Sequence, residues 1–364
     1  MKKITLSLAA VALLATGLSA GDTKVSSKAE KLKFNGTHYF GYVYTNYDNE
    51  DSQDGGQFEM RRNYFQVKAY MNDTDFFRIT LDSKQDSDID GGSWVTRYKY
   101  AYLYLQLSDN TGIELGEAHR PWIDYEEHHG WWFRSVSKVA LEASEAMHLS
   151  NSADLGFNIK TATDHYSSEF GIFNGEGYHQ ADGELDNFDQ SVEWRLTYHP
   201  LGEGKKKVKP TKDEYAGISF YGQIHMASDK FDDDNNVSNP LVNDGTDDMS
   251  FYGVHAVYNN PSFLIAAQYI TADGDYDKYD LDAFSINTTF RPTKETGIFA
   301  RYDSTDYDAD ASGDKDGDKT NLIFGAYMDY NHNVRFLANY QSTTYDNVDN
   351  KDNSKILLTA EVHW

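Results

Sequence analysis

Cysteine is absent from this chain of 364 residues. With no thiols there is no disulfide framework and no thiolate metal site, which excludes a cysteine-stapled secreted scaffold. Positive charge is also short. Lysine and arginine number 33 against 58 acidic residues, a formal net charge of −25. That balance argues against a nucleic-acid partner, which needs a basic surface. After residue 20 no apolar run approaches the roughly 20 residues of a membrane helix. The exclusion covers helices alone, because a transmembrane β-barrel exposes every other residue to lipid and never shows a long apolar run. Catalytic signatures are missing too: there is no G-x-S-x-G, no H-E-x-x-H and no Gly-rich phosphate loop ending in Lys-Ser/Thr.

What is present points to export and to β-structure. The opening 1-MKKITLSLAAVALLATGLSAG-21 has the charged, apolar and small-residue regions of a bacterial-style secretory signal peptide, with cleavage expected after Ala20. Loss of Lys2 and Lys3 takes the charge from −25 to −27. Tyrosine (27), phenylalanine (20) and tryptophan (6) favour strands, whereas the interspersed Asp/Asn/Gly clusters favour turns and proline is scarce (6). Alternation with period two recurs along the chain. In 190-QSVEWRLTYH-199, Val192, Trp194, Leu196 and Tyr198 share one face, and Ser191, Glu193, Arg195 and Thr197 the other. The same separation appears in 62-RNYFQVKAYM-71, 76-FFRITLD-82, 334-VRFLANY-340 and 356-ILLTAEVHW-364.

Sixteen such stretches are expected, near 32–47, 58–72, 74–84, 97–107, 112–118, 153–162, 164–173, 190–199, 215–228, 249–260, 262–272, 280–291, 295–304, 319–331, 333–342 and 354–364. Three of them (32–47, 97–107 and 249–260) mix their faces. The connections alternate between short links and long polar ones, the longest being 119–152. An even strand count with short turns on one side and long loops on the other predicts an all-β, antiparallel, up-and-down transmembrane barrel of about 16 strands over residues 21–364. Its place would be the outer membrane of a Gram-negative bacterium. One long connection, 200-PLGEGKKKVKPTKDE-214, falls on the short-turn side and reads as a solvated basic turn, with a partner site as the alternative.

Chemistry concentrates in 119-HRPWIDYEEHHGWWFRS-135. Its histidines and carboxylates suggest a metal or acid/base site, but His128 and His129 are adjacent and on a strand would face opposite ways. In place, the segment opens the 119–152 connection. There Val136, Val139, Ala140, Ala143 and Met147 fall on one helical face, so a short helix is expected over 135–147. A long ordered loop in a barrel of this size sets the width and field of the aqueous passage. The acidic segments 229-DKFDDDNN-236 and 306-DYDADASGDKDGDK-319 read first as solvated loops. Counted from Asp308, the second matches a calcium loop until its twelfth position, Lys319, where a bidentate Glu belongs. Weak Ca²⁺ or Mg²⁺ binding that bridges lipopolysaccharide is the alternative; no other cofactor and no metal site is expected. A barrel hydrolase using His119, His128 or His129 with Glu126 or Glu127, and a secreted soluble Ca²⁺-binding β-protein, remain the competing functions.

The stretches 59-EMRRNYFQVKAYMNDTDFFRITLD-82 and 112-GIELGEAHRPWIDYEEHHGWWFRS-135, with the terminal Trp364, carry a resemblance to bacterial general porins. The likeness is greatest to the phosphate-selective porin family and its relatives in Campylobacter-type bacteria. The resemblance implies a homotrimer of sixteen-stranded barrels, passive diffusion rather than catalysis, and a third loop folded inward over 119–150 as the constriction. By position, Arg120, Asp124, Glu126, Glu127, Arg134 and Lys138 would then belong to the constriction loop. Alternation places Arg62, Lys68, Arg78, Arg195, Arg301 and Arg335 on the lumen wall. Trp364, closing an alternating strand, resembles the signal that such barrels present to the outer-membrane insertion machinery. Lumen arginines favour anions and the acidic loops favour cations, so the sequence leaves the sign of selectivity open.

Overall fold

The computed structural model describes residues 29–48, 54–86, 92–175, 177–178, 190–226, 249–274, 280–307, 318–346 and 352–364. The expected signal segment 1–20, the segment 229–236 and all but the ends of 306–319 lie outside the described residues. Sixteen strands follow one another: β1 Lys31–Tyr47, β2 Gly55–Tyr70, β3 Phe76–Asp86, β4 Ser93–Ser108, β5 Thr111–His119, β6 Ala153–Ala162, β7 Tyr166–Phe173 and β8 Gln190–Tyr198. The second half comprises β9 Tyr215–Met226, β10 Met249–Asn260, β11 Phe263–Gly274, β12 Leu281–Phe290, β13 Thr296–Tyr307, β14 Lys319–Asp329, β15 Val334–Tyr345 and β16 Asn353–His363. Each pairs antiparallel with its neighbours in sequence, and β1 closes on β16, so the sheet is an up-and-down barrel with no free edge.

Alternation decides the two surfaces. Leu196, Phe220, Val254, Ile265, Phe324, Phe336 and Leu358 point outward and are exposed, whereas Glu193, Arg195, Thr197, Leu337 and Thr359 point inward and are buried. A continuous apolar exterior on a closed sheet is a lipid-facing surface, because water would not tolerate apolar patches of this extent.

Three breaks of register among the described residues interrupt the alternation; one lies at Gln106/Ser108 between β4 and β5, and the other two place extra basic residues inside. Opposite Tyr39 and Phe40 of β1, strand β2 pairs through Arg62 and then Met60, so Arg61 is an extra residue. Opposite Thr80 and Leu81 of β3, strand β4 pairs through Tyr100 and then Tyr98, so Lys99 is extra. Lys99 and Tyr100 are consequently both buried inside, while Tyr98 is exposed outside. This bulge explains the mixed faces of 97–107.

The interior is divided. Along β9 to β15 the inner wall carries Tyr221, Met249, Phe251, Ile270, Leu281, Phe299, Ile323 and Leu337 in one apolar cluster with residues 122–149. The mixed pattern of 249–260 has its cause here: Met249 and Phe251 are apolar and inward because the loop lies on them. Along β1 to β4 the wall carries Tyr39, Tyr64, Tyr100 and Tyr102 interleaved with Arg62, Lys68, Arg78 and Lys99.

Candidate functional site

The connection 120–152 is folded into the barrel and fixed to the β9–β15 side. Pro121 and Trp122 lead into helix α1, Ile123–His129, which ends at Gly130 with the Gly130 and Trp131 amides donating to Glu126 O (2.8 and 2.9 Å). The indole of Trp122 lies flat on Tyr221 of β9, ring centroids 3.6 Å apart. Its Nε1 donates to Glu126 Oε2 (2.9 Å), and Gln268 Nε2 of β11 donates to Glu126 Oε1 (2.8 Å). Burial pushes the Glu126 carboxyl up to about 7, against the opposing pull of Arg301 and the Trp122 hydrogen bond.

The helix expected over 135–147 is not formed; the one helix among the loop's described residues is α1, which begins at Ile123, 12 residues earlier. Residues 133–147 instead make separate tight turns, with Val136 N donating to Phe133 O, Glu142 N to Val139 O and Ala146 N to Ala143 O. The carbonyls a helix would need are taken by side chains. Gln341 Nε2 holds Val136 O (3.0 Å), Trp131 Nε1 holds Ser137 O (2.8 Å), Arg301 Nη1 holds Lys138 O (2.6 Å), and Lys319 Nζ reaches Ser144 O and Ala146 O (3.3 and 3.4 Å). The apolar face nevertheless docks as its spacing suggests, since Val136, Val139, Ala140, Ala143 and Met147 are all buried against the wall.

The residues singled out from the sequence therefore sort into two groups. Arg120, Arg195 and Arg301 hold the loop. Arg120 Nε donates to Glu193 (2.7 Å) and its Nη2 to Gln223 (3.1 Å); Arg195 donates to Glu169 (2.7 Å) and Pro121 O (3.1 Å); Arg301 donates to Asp303 (2.8 Å) and Ser137 Oγ (3.0 Å). These guanidiniums are buried and spent on carboxylates and carbonyls, where removing one partner is costly. Glu126 belongs with them. Arg335 pairs with Asp329 (2.6 and 3.1 Å) at the short-turn end.

The second group faces the tyrosine wall. On the loop, Arg134 pairs with Glu127 and with Glu142 (2.9 Å), and Lys138 Nζ lies 2.9 Å from Glu142. Burial would raise the Glu142 carboxyl, but Arg134 and Lys138 outweigh it and hold it well below the usual range. Asp124 is likewise held low, burial being outweighed by His119 and His128. On the wall, Arg62 pairs with Asp82 (2.8 Å), and Arg78 donates to Thr80 Oγ1 (3.0 Å) and Tyr102 OH (3.3 Å) while lying over the Tyr100 ring at 4.4 Å. Lys68 sits over Phe76 at 4.4 Å. Lys99 donates to Tyr64 OH (3.0 Å), with Tyr64 and Tyr100 rings within 4.9 and 5.4 Å. Arg134 is near enough to act on the charges of Arg62 and Lys99, so loop and wall approach closely here. Among the described residues no ion pair is formed by Lys68, Arg78 or Lys99; their partners are aromatic rings, hydroxyls and, for Arg78, the imidazole Nε2 of His119 (3.1 Å).

Lys99 and Arg61 are site residues that alternation alone misses. Arg61 bonds Thr359 Oγ1 and lies 3.0 Å from Glu59. The signal for both is a break of phase, at 98-YKY-100 and at the Arg-Arg pair 61–62. His119 Nε2 and His128 Nδ1 both lie near Asp124 Oδ1 (3.7 and 3.5 Å), and His119 Nδ1 is 2.8 Å from Glu114, whereas Glu126 and Glu127 are turned to Trp122 and Gln268 and to Arg134. His128 Nδ1 donates to Asp124 O (2.7 Å) and His129 Nδ1 to Tyr125 O (2.9 Å), as neighbours on a helix rather than a strand. Burial pushes His129 down to about 3. Among the described residues no group of three His, Asp or Glu side chains is arranged to hold a metal ion.

Solved structures align with this barrel over nearly its whole length. The fold is that of bacterial outer-membrane porins. An anion-selective porin from Comamonas acidovorans aligns over 92% of this chain and 99% of its own, with a TM-score of 0.64 at 10% identity. Pseudomonas putida OprB aligns over 93% of this chain and 94% of its own, at 0.64 and 12%. OmpT, an outer membrane protein of Vibrio cholerae seen in a trimer form, aligns over 92% and 99%, at 0.58 and 14%. No family model matches the sequence, and no curated protein matches it. At these identities the likeness is one of fold.

Proposed function

We propose that this protein is an outer-membrane porin that passes small hydrophilic solutes down their gradients, with a preference for anions, and makes or breaks no bond. What supports this reading is the arrangement of charge: a loop anchored to one half of the wall carries Arg134 and Lys138, and the other half carries Arg62, Lys68, Arg78 and Lys99. Asp82, Glu127 and Glu142 neutralise Arg62, Arg134 and Lys138. Among the described residues, Lys68, Arg78 and Lys99 remain against the single carboxylate of Asp124. A cation that rests on tyrosine rings keeps its charge available to a passing anion, whereas one in a salt bridge does not. At physiological salt the Debye length is about 8 Å, so eyelet charges outweigh the acidic loops at the far mouth.

The working unit in this reading is a homotrimer, as with the V. cholerae OmpT trimer form. Lipid and lipopolysaccharide would contact the apolar exterior. Trp364 would act as the signal to the insertion machinery; its ring packs on Phe65 and His38 beside the barrel seam. The deciding experiment is the reversal potential of the purified protein in a planar bilayer across a KCl gradient, repeated with phosphate. An anion-selective sign supports the reading. A cation-selective sign sinks the anion preference, and absence of stepwise conductance sinks the porin itself.

A further inference from the structure

The turn between β8 and β9, residues 199–214, is far longer than its neighbours at the short-turn end, and it is pinned rather than slack. Glu203 is buried and accepts the Ala216 amide (2.8 Å), Gly204 N donates to Asp164 O (2.8 Å), and Asn259 Nδ2 donates to Pro210 O and Asp213 O (3.0 and 2.7 Å). Val208 is buried with Tyr215, Val257 and Leu264, against Trp132 of the loop. Tyr215 fastens the turn to the loop: its hydroxyl accepts from Trp132 Nε1 (3.1 Å) and donates to His129 O (2.7 Å).

Ordering a turn of this length costs conformational entropy, yet the lysines it carries are held out in water. Lys205 and Lys206 are exposed and, with Lys160, Arg195, His128 and the carboxylates Asp109, Asp124 and Glu169, line a chamber of about 430 Å³ beneath α1. Lys160 is paired with Glu114 (3.2 Å) and Glu169 (3.4 Å), and Arg195 with Glu169 (2.7 Å). Among the described residues Lys205 and Lys206 have no ion pair. Lys207 lies within electrostatic range of Lys68 on the opposite wall.

We propose that this turn is a second selectivity element, in which Lys205 and Lys206 hold small oxyanions, phosphate- or carboxylate-bearing, in the chamber at the short-turn end. The proposal rests on the porin reading and adds a site apart from the eyelet, reached from one side of the membrane. Its consequence is sidedness. An oxyanion entering from the short-turn end meets Lys205 and Lys206 before it meets Arg134, whereas one entering from the other end must cross the eyelet first.

The test uses the full-length protein in bilayers, with inorganic phosphate or succinate added to one compartment at a time in a chloride background, beside the double variant K205Q/K206Q. In the wild type, block from one side should need less anion than block from the other. Loss of two lysines near the chamber should raise the concentration for half block from the sensitive side about fivefold, and leave the other side unchanged. Phosphate alone, succinate alone or both producing this effect identifies which oxyanion the chamber takes. Equal block by both anions from both sides, or sidedness unchanged in K205Q/K206Q, overturns the proposal. Phosphate binding to the detergent-solubilised protein, measured by calorimetry with the same variant, gives a readout independent of conductance. A cation-selective channel that still shows lysine-dependent sidedness would refute the anion preference of the eyelet and leave the chamber standing.

Discussion

Glu126 offers a perturbation whose sign and size can be worked out in advance. Its carboxyl is buried between Trp122 and Gln268 and is raised from 4.5 to about 7, burial being the largest cause. A raised folded value means that the docked loop holds the proton more tightly than the undocked one. Below about pH 4.5 both forms are protonated and docking carries no penalty; the penalty grows as pH rises from about 4.5 to about 7 and is constant above that. With about 1.4 kcal/mol per unit, the full penalty is of order 3 kcal/mol. The variant E126Q cannot ionise and escapes it. It does, however, present an amide to two donors, Trp122 Nε1 and Gln268 Nε2, so one loses its acceptor at a cost of about 1–2 kcal/mol. The two proteins should therefore cross: wild type holds its loop better near about pH 5, and E126Q better near about pH 8.5. Open-channel current noise, recorded at both values, reads loop mobility directly. Wild-type noise should rise with pH while that of E126Q stays level. The same pH dependence in E126Q would assign the titration to another group, and level noise in the wild type would refute the reasoning.

Other outcomes follow from the same geometry. K99Q removes a surplus cation from the eyelet, and the chloride-to-potassium permeability ratio from reversal potentials should fall about two- to fivefold, with the folded barrel unaffected. W122A deletes the ring stacked on Tyr221 and should weaken loop docking by about 3–5 kcal/mol, seen as larger and noisier single-channel steps. F324R puts a charge on the lipid face of β14 and should cost about 2–4 kcal/mol, lowering the temperature at which the heat-modifiable folded band is lost.

The strands were legible because alternation is imposed by two solvents, lipid outside and water within. Val192 to Tyr198 and Ile356 to Val362 show it directly: the face that reads as apolar is the exposed one. Legibility fails where the inside is not wet. On β10, Met249, Phe251 and Val257 point inward and meet the docked loop or the apolar packing beside it, so both faces of the strand look apolar. The loop shows a second kind of failure. The apolar spacing of Val136 to Met147 correctly marks a buried face, but Gln341, Arg301 and Lys319 are distant in sequence, and they decide that its carbonyls are not helical. For the eyelet, the loop charges were visible as a cluster. Which of them stay exposed to the passage and which are consumed was not, because Glu193, Asp303 and Glu169 supply the answer from other strands.

The bulges at Arg61 and Lys99 imply an unusual route by which this channel can be retuned. Each is one residue inserted between correctly phased halves of a strand: Met60 faces out and Arg62 in, Tyr98 out and Tyr100 in. Deleting the inserted residue would therefore heal the ladder and leave every flanking side chain on its own face. In this barrel a lumen charge can be gained or lost by a single codon insertion or deletion, the kind of change that elsewhere in a strand would turn the wall inside out.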